Sequence, residues 1–446
     1  MQVTMMLRQL LVLSTIAPLS VAAAQSTATM VSQDSLHPIS LQEAVSLAQR
    51  NAPAAVQARG QLRTTASAVR SAYGAFLPSV SASMAQSKQS GQRFDPLRGP
   101  VTTPFSPWQY SAGLGANLEL FDGFRRFSDL NARKADEDAA EANEVAQRFT
   151  IALQVKTQYA NILAARESEA AARAQLEQAQ AQLAAAVARV QAGAATMSDS
   201  LRSLIQVGNA RLALITAENG VRVASASLTR LVGTPFVVTA NPADTVDLPI
   251  THVDSASLDR MALEGPAVQE ASMQLRAANA AARSAKSTYL PTITLSYNYN
   301  GNRQDSSYQV NFGPYAYGQS FNVRLNYPLF NNFSREDQQV RARVAQDNAE
   351  AQFRDARLAA QQSLVQQLGA LRTAEERIRI QQASVLAAQE DLRVQQQRYS
   401  LGASTLLDLL TSQSQLNQAR AALIQARQDY RIARAQIEAI IGRDLS

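Results

Sequence analysis

The chain has 446 residues, 46% hydrophobic and 17% charged, with a net charge of +6. Such a length allows two or three domains, and its Lys and Arg residues are scattered instead of forming the concentrated basic face of a nucleic-acid site. Cysteine is absent, which excludes a disulfide framework, a thiolate metal site, a cysteine nucleophile and a lipid-modified N-terminal cysteine.

Residues 1–24 read as an export signal. Arg8 supplies the positive charge, Leu10 to Ala17 the short apolar run, and Ala22-Ala23-Ala24 a cleavage site before Gln25. A polar segment, 25–38, follows. Ser40 is placed to cap a helix, with Glu43 completing a capping box. Asn51-Ala52-Pro53 breaks that helix, and a second one runs from Pro53 to about Gly74, ahead of Pro78.

From Ser79 the period changes to two: Val80, Ala82 and Met84 alternate with serines. A loop rich in Gly, Pro and Arg spans Gly91 to Pro107. Tyr110, Ala112, Leu114, Ala116, Leu118 and Leu120 then alternate with polar or small residues, as a strand with one apolar face requires. Gly113 and Gly115 fall in this strand and read as small residues of its polar face. After Phe121-Asp122-Gly123 a helix of nearly seventy residues is expected from Phe124 to Ala192, with no proline or glycine. It would reach roughly 100 Å. Val155, Ile162, Leu176, Leu183 and Val190 recur on a seven-residue step, broken at Glu169. Gly193 ends the rod, and Ser198 or Asp199 opens a return helix carrying Val207, Leu214, Val221 and Leu228. Gly233-Thr234-Pro235 closes it before a linker, 234–253.

The programme then repeats. Ala-Arg-Ser-Ala-Lys-Ser-Thr-Tyr-Leu-Pro at 282–291 matches 69–78; Leu329-Phe330-Asn331-Asn332-Phe333 matches Leu120 to Phe124; the stretch from Arg398 matches that from Arg189. Ile293, Leu295, Tyr297 and Tyr299 alternate in a third strand, and Phe321, Val323, Leu325, Tyr327 and Leu329 in a fourth. The second rod, Phe333 to Leu401, carries Leu364, Leu371, Ile378, Val385, Leu392 and Tyr399. Its return helix carries Leu416, Leu423, Tyr430 and Ile437. Register agreement over some two hundred residues marks a duplication, with repeats at 39–233 and 254–442.

Strands of about ten residues with one apolar face suit a transmembrane barrel, lipid outside and water within. Of 26 Phe, Tyr and Trp residues, 20 fall in the windows 73–127 and 289–333, where interfacial girdles belong. Four strands cannot close a barrel, and open edges are not tolerated in lipid. The chain is therefore expected to oligomerise and to act as a conduit. The competing reading is a soluble periplasmic coiled-coil adaptor or scaffold.

This order of short helices, Leu-Pro, strand pair, long helix, glycine turn and return helix resembles the TolC-like outer-membrane efflux proteins. The most specific pieces are Tyr399-Ser-Leu-Gly-Ala-Ser-Thr-Leu-Leu-Asp408, Ala192-Gly-Ala-Ala-Thr-Met-Ser-Asp199 and the paired Leu-Pro motifs. The resemblance implies a mainly α fold with a membrane part. It would be a trimeric tandem-repeat channel, its twelve-strand outer-membrane β-barrel continuous with a twelve-helix periplasmic α-barrel. It implies an exit duct for drugs, small molecules or protein, in tripartite efflux or type I secretion. The implied partners are two further copies, a periplasmic membrane-fusion (adaptor) protein, an inner-membrane RND pump or ABC transporter, and outer-membrane lipid, but not nucleic acid.

By the same resemblance, the turns at Gly193 and Gly402 would form the periplasmic tips that dock the adaptor. Tyr399 and Asp199 match a closing link, and Asp408 matches the first aspartate of an entrance ring. Ser404 stands at the family's tip arginine, Ser198 at its partner threonine, and Thr411 at the second aspartate. His37 and His252 lie in linkers, so a histidine metal site or Ser-His-Asp constellation is not expected. There is no P-loop. No enzyme activity, metal or cofactor is expected.

Overall fold

The structure, a computed structural model, describes residues 36–88, 92–95, 97, 99–102, 108–245, 255–305, 307–308 and 314–445. The export signal, the polar segment before Leu36, and His252 lie outside them. In chain order the elements are β1 (His37–Ile39), α1 (Leu41–Asn51), α2 (Pro53–Gly74), β2 (Ser79–Lys88), β3 (Gln92–Asp95), β4 (Gly99–Thr102), β5 (Trp108–Phe121), α3 (Arg125–Gln191), α4 (Met197–Val232), β6 (Val238–Ala240), α5 (Ser255–Leu263), α6 (Pro266–Ala285), β7 (Thr292–Asp305), β8 (Ala316–Asn326), α7 (Ser334–Ser400) and α8 (Leu406–Ile441).

The duplication is visible in the helices. Both α3 and α7 have 67 residues, both α4 and α8 have 36, and each pair is displaced by 209 positions. The entries to the rods, the turns at their ends and the ends of the return helices repeat at that offset, whereas the short helices before the strands are displaced by 213, Pro53 matching Pro266. Phe124 and Phe333 enter the rods in the left-handed region, at φ 64 and 59. Each stacks edge-on with the phenylalanine three residues before it, Phe121 or Phe330. Arg126 reaches back to the Leu120 carbonyl and lies over Phe76; Arg335 reaches back to the Pro328 and Leu329 carbonyls and lies over Tyr289. The same guanidinium therefore straps each sheet-to-helix turn.

β2, β5, β7 and β8 form one antiparallel sheet in the order β2-β5-β7-β8. Cross-strand register sorts its faces. Val80, Ala116, Tyr297 and Phe321 lie in one row, and Ser81, Gly115, Asn298 and Ser320 in the next. One face thus carries aliphatic and aromatic side chains and the other serine, asparagine and glycine, as period two demands. Gly113 is on the polar face, where an added Cβ would meet Asn300 Oδ1 at 2.5 Å and Ser83 Oγ at 3.3 Å. A bulge between Glu119 and Phe121 bends β5 as it leaves for α3. β2 and β8 are the free edges and are exposed along their lengths in the single chain.

Several expectations need correction. The loop 91–107 contains the β3–β4 hairpin. The fourth strand ends at Asn326, before Tyr327 and Leu329. His37 and the 234–253 linker are not wholly unstructured, because β1 pairs in parallel with β6 and His37 stacks against Phe236 at 5.0 Å. The capping box at Ser40 is half made: Ser40 Oγ accepts from Glu43 N–H at 3.3 Å, without the return bond. The return helix starts at Met197 with Thr196 as its cap, not at Ser198 or Asp199.

The cores form a belt halfway along the rods. Ile151, Val155, Tyr159 and Ile162 of α3 pack with Ala44, Ala48, Leu228 and Val238. Leu364, Leu371 and Ala374 of α7 pack with Leu258, Tyr430 and Ile437. Lys156 joins the two halves, donating to Glu438 at 2.6 Å and to Asp444. Burial alone would lower the Lys156 pKa, but its bonds to those carboxylates outweigh this and raise it. Below the belt the apolar step of α3 thins to Ala172, Ala179 and Ala186, all buried, which lets neighbouring helices approach closely. Among the described residues no helix is long and apolar enough to cross a membrane.

Candidate functional site

The candidate site is the pair of helix turns at the ends of the rods. Each turn begins with a glycine in the left-handed region, Gly193 at φ 73 and Gly402 at φ 78. A Cβ in that conformation costs about 1–2 kcal/mol, so the turn chemistry requires glycine or a close substitute. Thr196 and Thr405 then cap the return helices. Each threonine Oγ1 accepts from the aspartate N–H three residues on, Asp199 or Asp408, and that aspartate accepts back from the threonine backbone N–H. These are complete capping boxes. The Asp408 carboxyl is held below the usual carboxylate range by the Thr405 backbone N–H, then its hydroxyl, with a smaller contribution from Arg398.

The sequence-derived residues all lie on or beside these turns, yet not in the expected pairings. Tyr399 and Asp199 are not hydrogen-bonded within the chain, because the Asp199 carboxylate bonds Thr196 at 2.9 and 3.2 Å. Tyr399 meets Arg189 instead. The guanidinium lies 4.6 Å from the ring centroid and donates to the Tyr399 carbonyl at 2.8 Å, clasping α3 to α7. Ser404 Oγ points back to the Gln395 carbonyl at 3.5 Å, Thr411 Oγ1 donates to Leu407 O, and Ser198 is exposed. Asp408 is exposed at the outer end of α8. A cavity of about 280 Å³ opens between the two hairpins, lined by Gln178, Gln182, Arg189, Gln396, Tyr399 and Leu409.

Arg189 was not singled out by its sequence, since a basic residue in the last turn of a helix is ordinarily explained by the helix dipole. Its signal was positional: it falls four residues before Gly193, as Arg398 does before Gly402. Among the described residues no group of three or more His, Asp and Glu is arranged to hold a metal ion.

Comparison with known proteins fits this architecture. A family model described as Outer membrane efflux protein matches residues 44–234 and 258–443. Protein CyaE of Bordetella pertussis is 29% identical over 404 residues, covering 87% of this chain and 80% of its own. The pyoverdine export outer membrane protein OpmQ of Pseudomonas aeruginosa is 27% identical over 360 residues, 79% of this chain and 74% of its own. The open-state structure of the MtrE outer membrane channel from Neisseria gonorrhoeae superimposes with a TM-score of 0.73 at 20% identity, covering 91% and 89% of the two chains.

The chain belongs to the outer membrane efflux protein family. It is an outer-membrane exit duct with a periplasmic extension.

Proposed function

We propose that the chain works as a homotrimer, the outer-membrane member of a tripartite export assembly. Two observations of the sheet carry this reading: it has one apolar and one polar face, and β2 and β8 are left open at its edges. An open edge in lipid leaves backbone donors and acceptors unpaired at several kcal/mol each, so β2 of one copy is expected to pair with β8 of the next. Repeats 39–233 and 254–442, joined by 234–253, would then alternate around one pore. A periplasmic adaptor would dock on the turns at Gly193 and Gly402 and connect the duct to an RND pump or ABC transporter. This reading involves no catalytic step or cofactor; cargo choice, among drugs, other small molecules or protein, would rest with the pump.

In this reading Arg189–Tyr399 holds the entrance hairpins together, Asp408 contributes charge at the pore mouth, and Thr411, Ser404, Ser198 and Asp199 complete the surroundings of the entrance. Native mass spectrometry of detergent-extracted protein tests the assembly. A trimer is expected. A monomer, or recovery in the soluble periplasmic fraction without detergent, would favour the adaptor or scaffold reading.

A further inference from the structure

Near the tips, among the described residues, three glutamines have enclosed amide atoms with no hydrogen-bond partner: Nε2 of Gln182, Oε1 of Gln395, and both amide atoms of Gln413. Gln413 is the extreme case, 1% exposed and among the largest fully buried side chains. It shares an α8 stripe with Leu406, Leu409 and Leu416, which cluster with Leu392 and, around them, Val385 and Tyr399 of α7. Gln395 falls on that α7 stripe between Leu392 and Tyr399. An amide there carries its desolvation cost with no compensating bond. The matching residue of the first copy, Leu204, is exposed, so the hairpin fold does not itself require an amide at this position. The atoms are enclosed by their own chain, so a neighbouring copy does not reach them while the ends of α7 and α8 stay together.

We propose that Gln413, backed by Gln395 on the facing α7 stripe, is a release layer for the entrance. With α7 and α8 together at the tip its amide is unpaired; as these two helix ends part, water supplies the missing bonds. The layer therefore lowers the barrier to separating the tip below it, while the apolar belt above keeps the rods assembled. Polar residues at seam positions of helical coils are known to exchange stability for control of state. The link to opening rests on the reading of the tips as the duct entrance.

The test uses the detergent-solubilised oligomer and two variants, Gln413→Leu and the closer-shaped Gln413→Met. Hydrogen exchange is measured for amides 385–416 and, as a control, for β5 and β7. Relief of one unpaired buried group corresponds to a shift of roughly tenfold in a local opening equilibrium. Both variants are expected to slow tip exchange by about that factor and to reduce the frequency of channel openings, leaving the sheet unchanged. Unchanged or faster tip exchange in both variants, with the oligomer intact, would overturn the proposal. If only one variant folds, that variant decides. Absence of conductance in the unsubstituted protein would count against the duct reading, and the exchange rates would still decide the role of the layer.

Discussion

Two carboxylates and one guanidinium organise the tips at the scale of single residues. Asp199 and Asp408 complete capping boxes, while Arg189 spans from α3 to α7. Because the folded-state pKa of Asp408 is depressed, its capping contribution is present above the unfolded pKa and lost as pH falls through the folded one. Protection factors of amides 406–409, corrected for the intrinsic exchange rate at each pH, should therefore fall below about pH 4; constant protection factors through that range would remove the carboxylate from the cap. Thr405→Ala should cost about 0.5–2 kcal/mol at the start of α8, read by the same exchange at neutral pH. Asp408→Asn keeps an acceptor for the cap while removing the charge, so it separates the two roles. Reduced cation selectivity in a planar bilayer is expected if Asp408 faces the pore, and unchanged selectivity would place it elsewhere. Arg189→Ala should raise the frequency of openings, because it removes both the ring contact and the bond to the Tyr399 carbonyl.

The two sheet-to-helix junctions are copies that differ in how the strapping guanidinium is anchored. In the first, Asp122 is 3% exposed and receives the Arg126 Nε–H at 3.1 Å. In the second, Asn331 takes that place, and both Asn331 Oδ1 and Arg335 Nε are enclosed without partners. Asn331→Asp should restore the bond and stabilise the start of α7 by about 1–3 kcal/mol, visible as a higher melting temperature of the oligomer. A fall in melting temperature would show that the second junction is built to hold a neutral side chain.

Much of this element structure was legible in the sequence. Long proline-free stretches with a seven-residue apolar step could only be rods, and strict alternation could only be strands with unlike faces. Three features were hidden for physical reasons. β1 and β6 have three residues each, too few to show a period, and pair across some two hundred positions. The β3–β4 hairpin sits among glycines and prolines that ordinarily signal a loop. At the tip, Thr196, Ser198 and Asp199 all have cap chemistry, and only geometry assigns the cap to Thr196. The same competition explains why Tyr399 lacks its expected aspartate: the backbone claims that carboxylate first, and a neighbouring arginine fills the gap.

For the whole molecule, a single chain leaves much undone. Beside the open edges β2 and β8, apolar side chains are exposed on α4 at Leu201, Leu204, Ile205, Leu212 and Ile215, and on α7 at Val340, Val344, Leu358 and Val365. The α4 stripe lies between the tip and the belt and the α7 stripe between the belt and the sheet, so each leaves apolar surface open to a neighbouring copy at its own height. The strand lengths of 10 to 14 residues match a tilted bilayer crossing, and the 67-residue rods reach about 100 Å beyond it. Barrel and rods thus share one axis only when copies assemble. The most direct measurement is the conductance of the purified oligomer in a planar lipid bilayer. Discrete, ion-conducting steps are predicted, more frequent in Arg189→Ala than in the unsubstituted protein; an inserted oligomer that passes no current in either form would contradict the conduit.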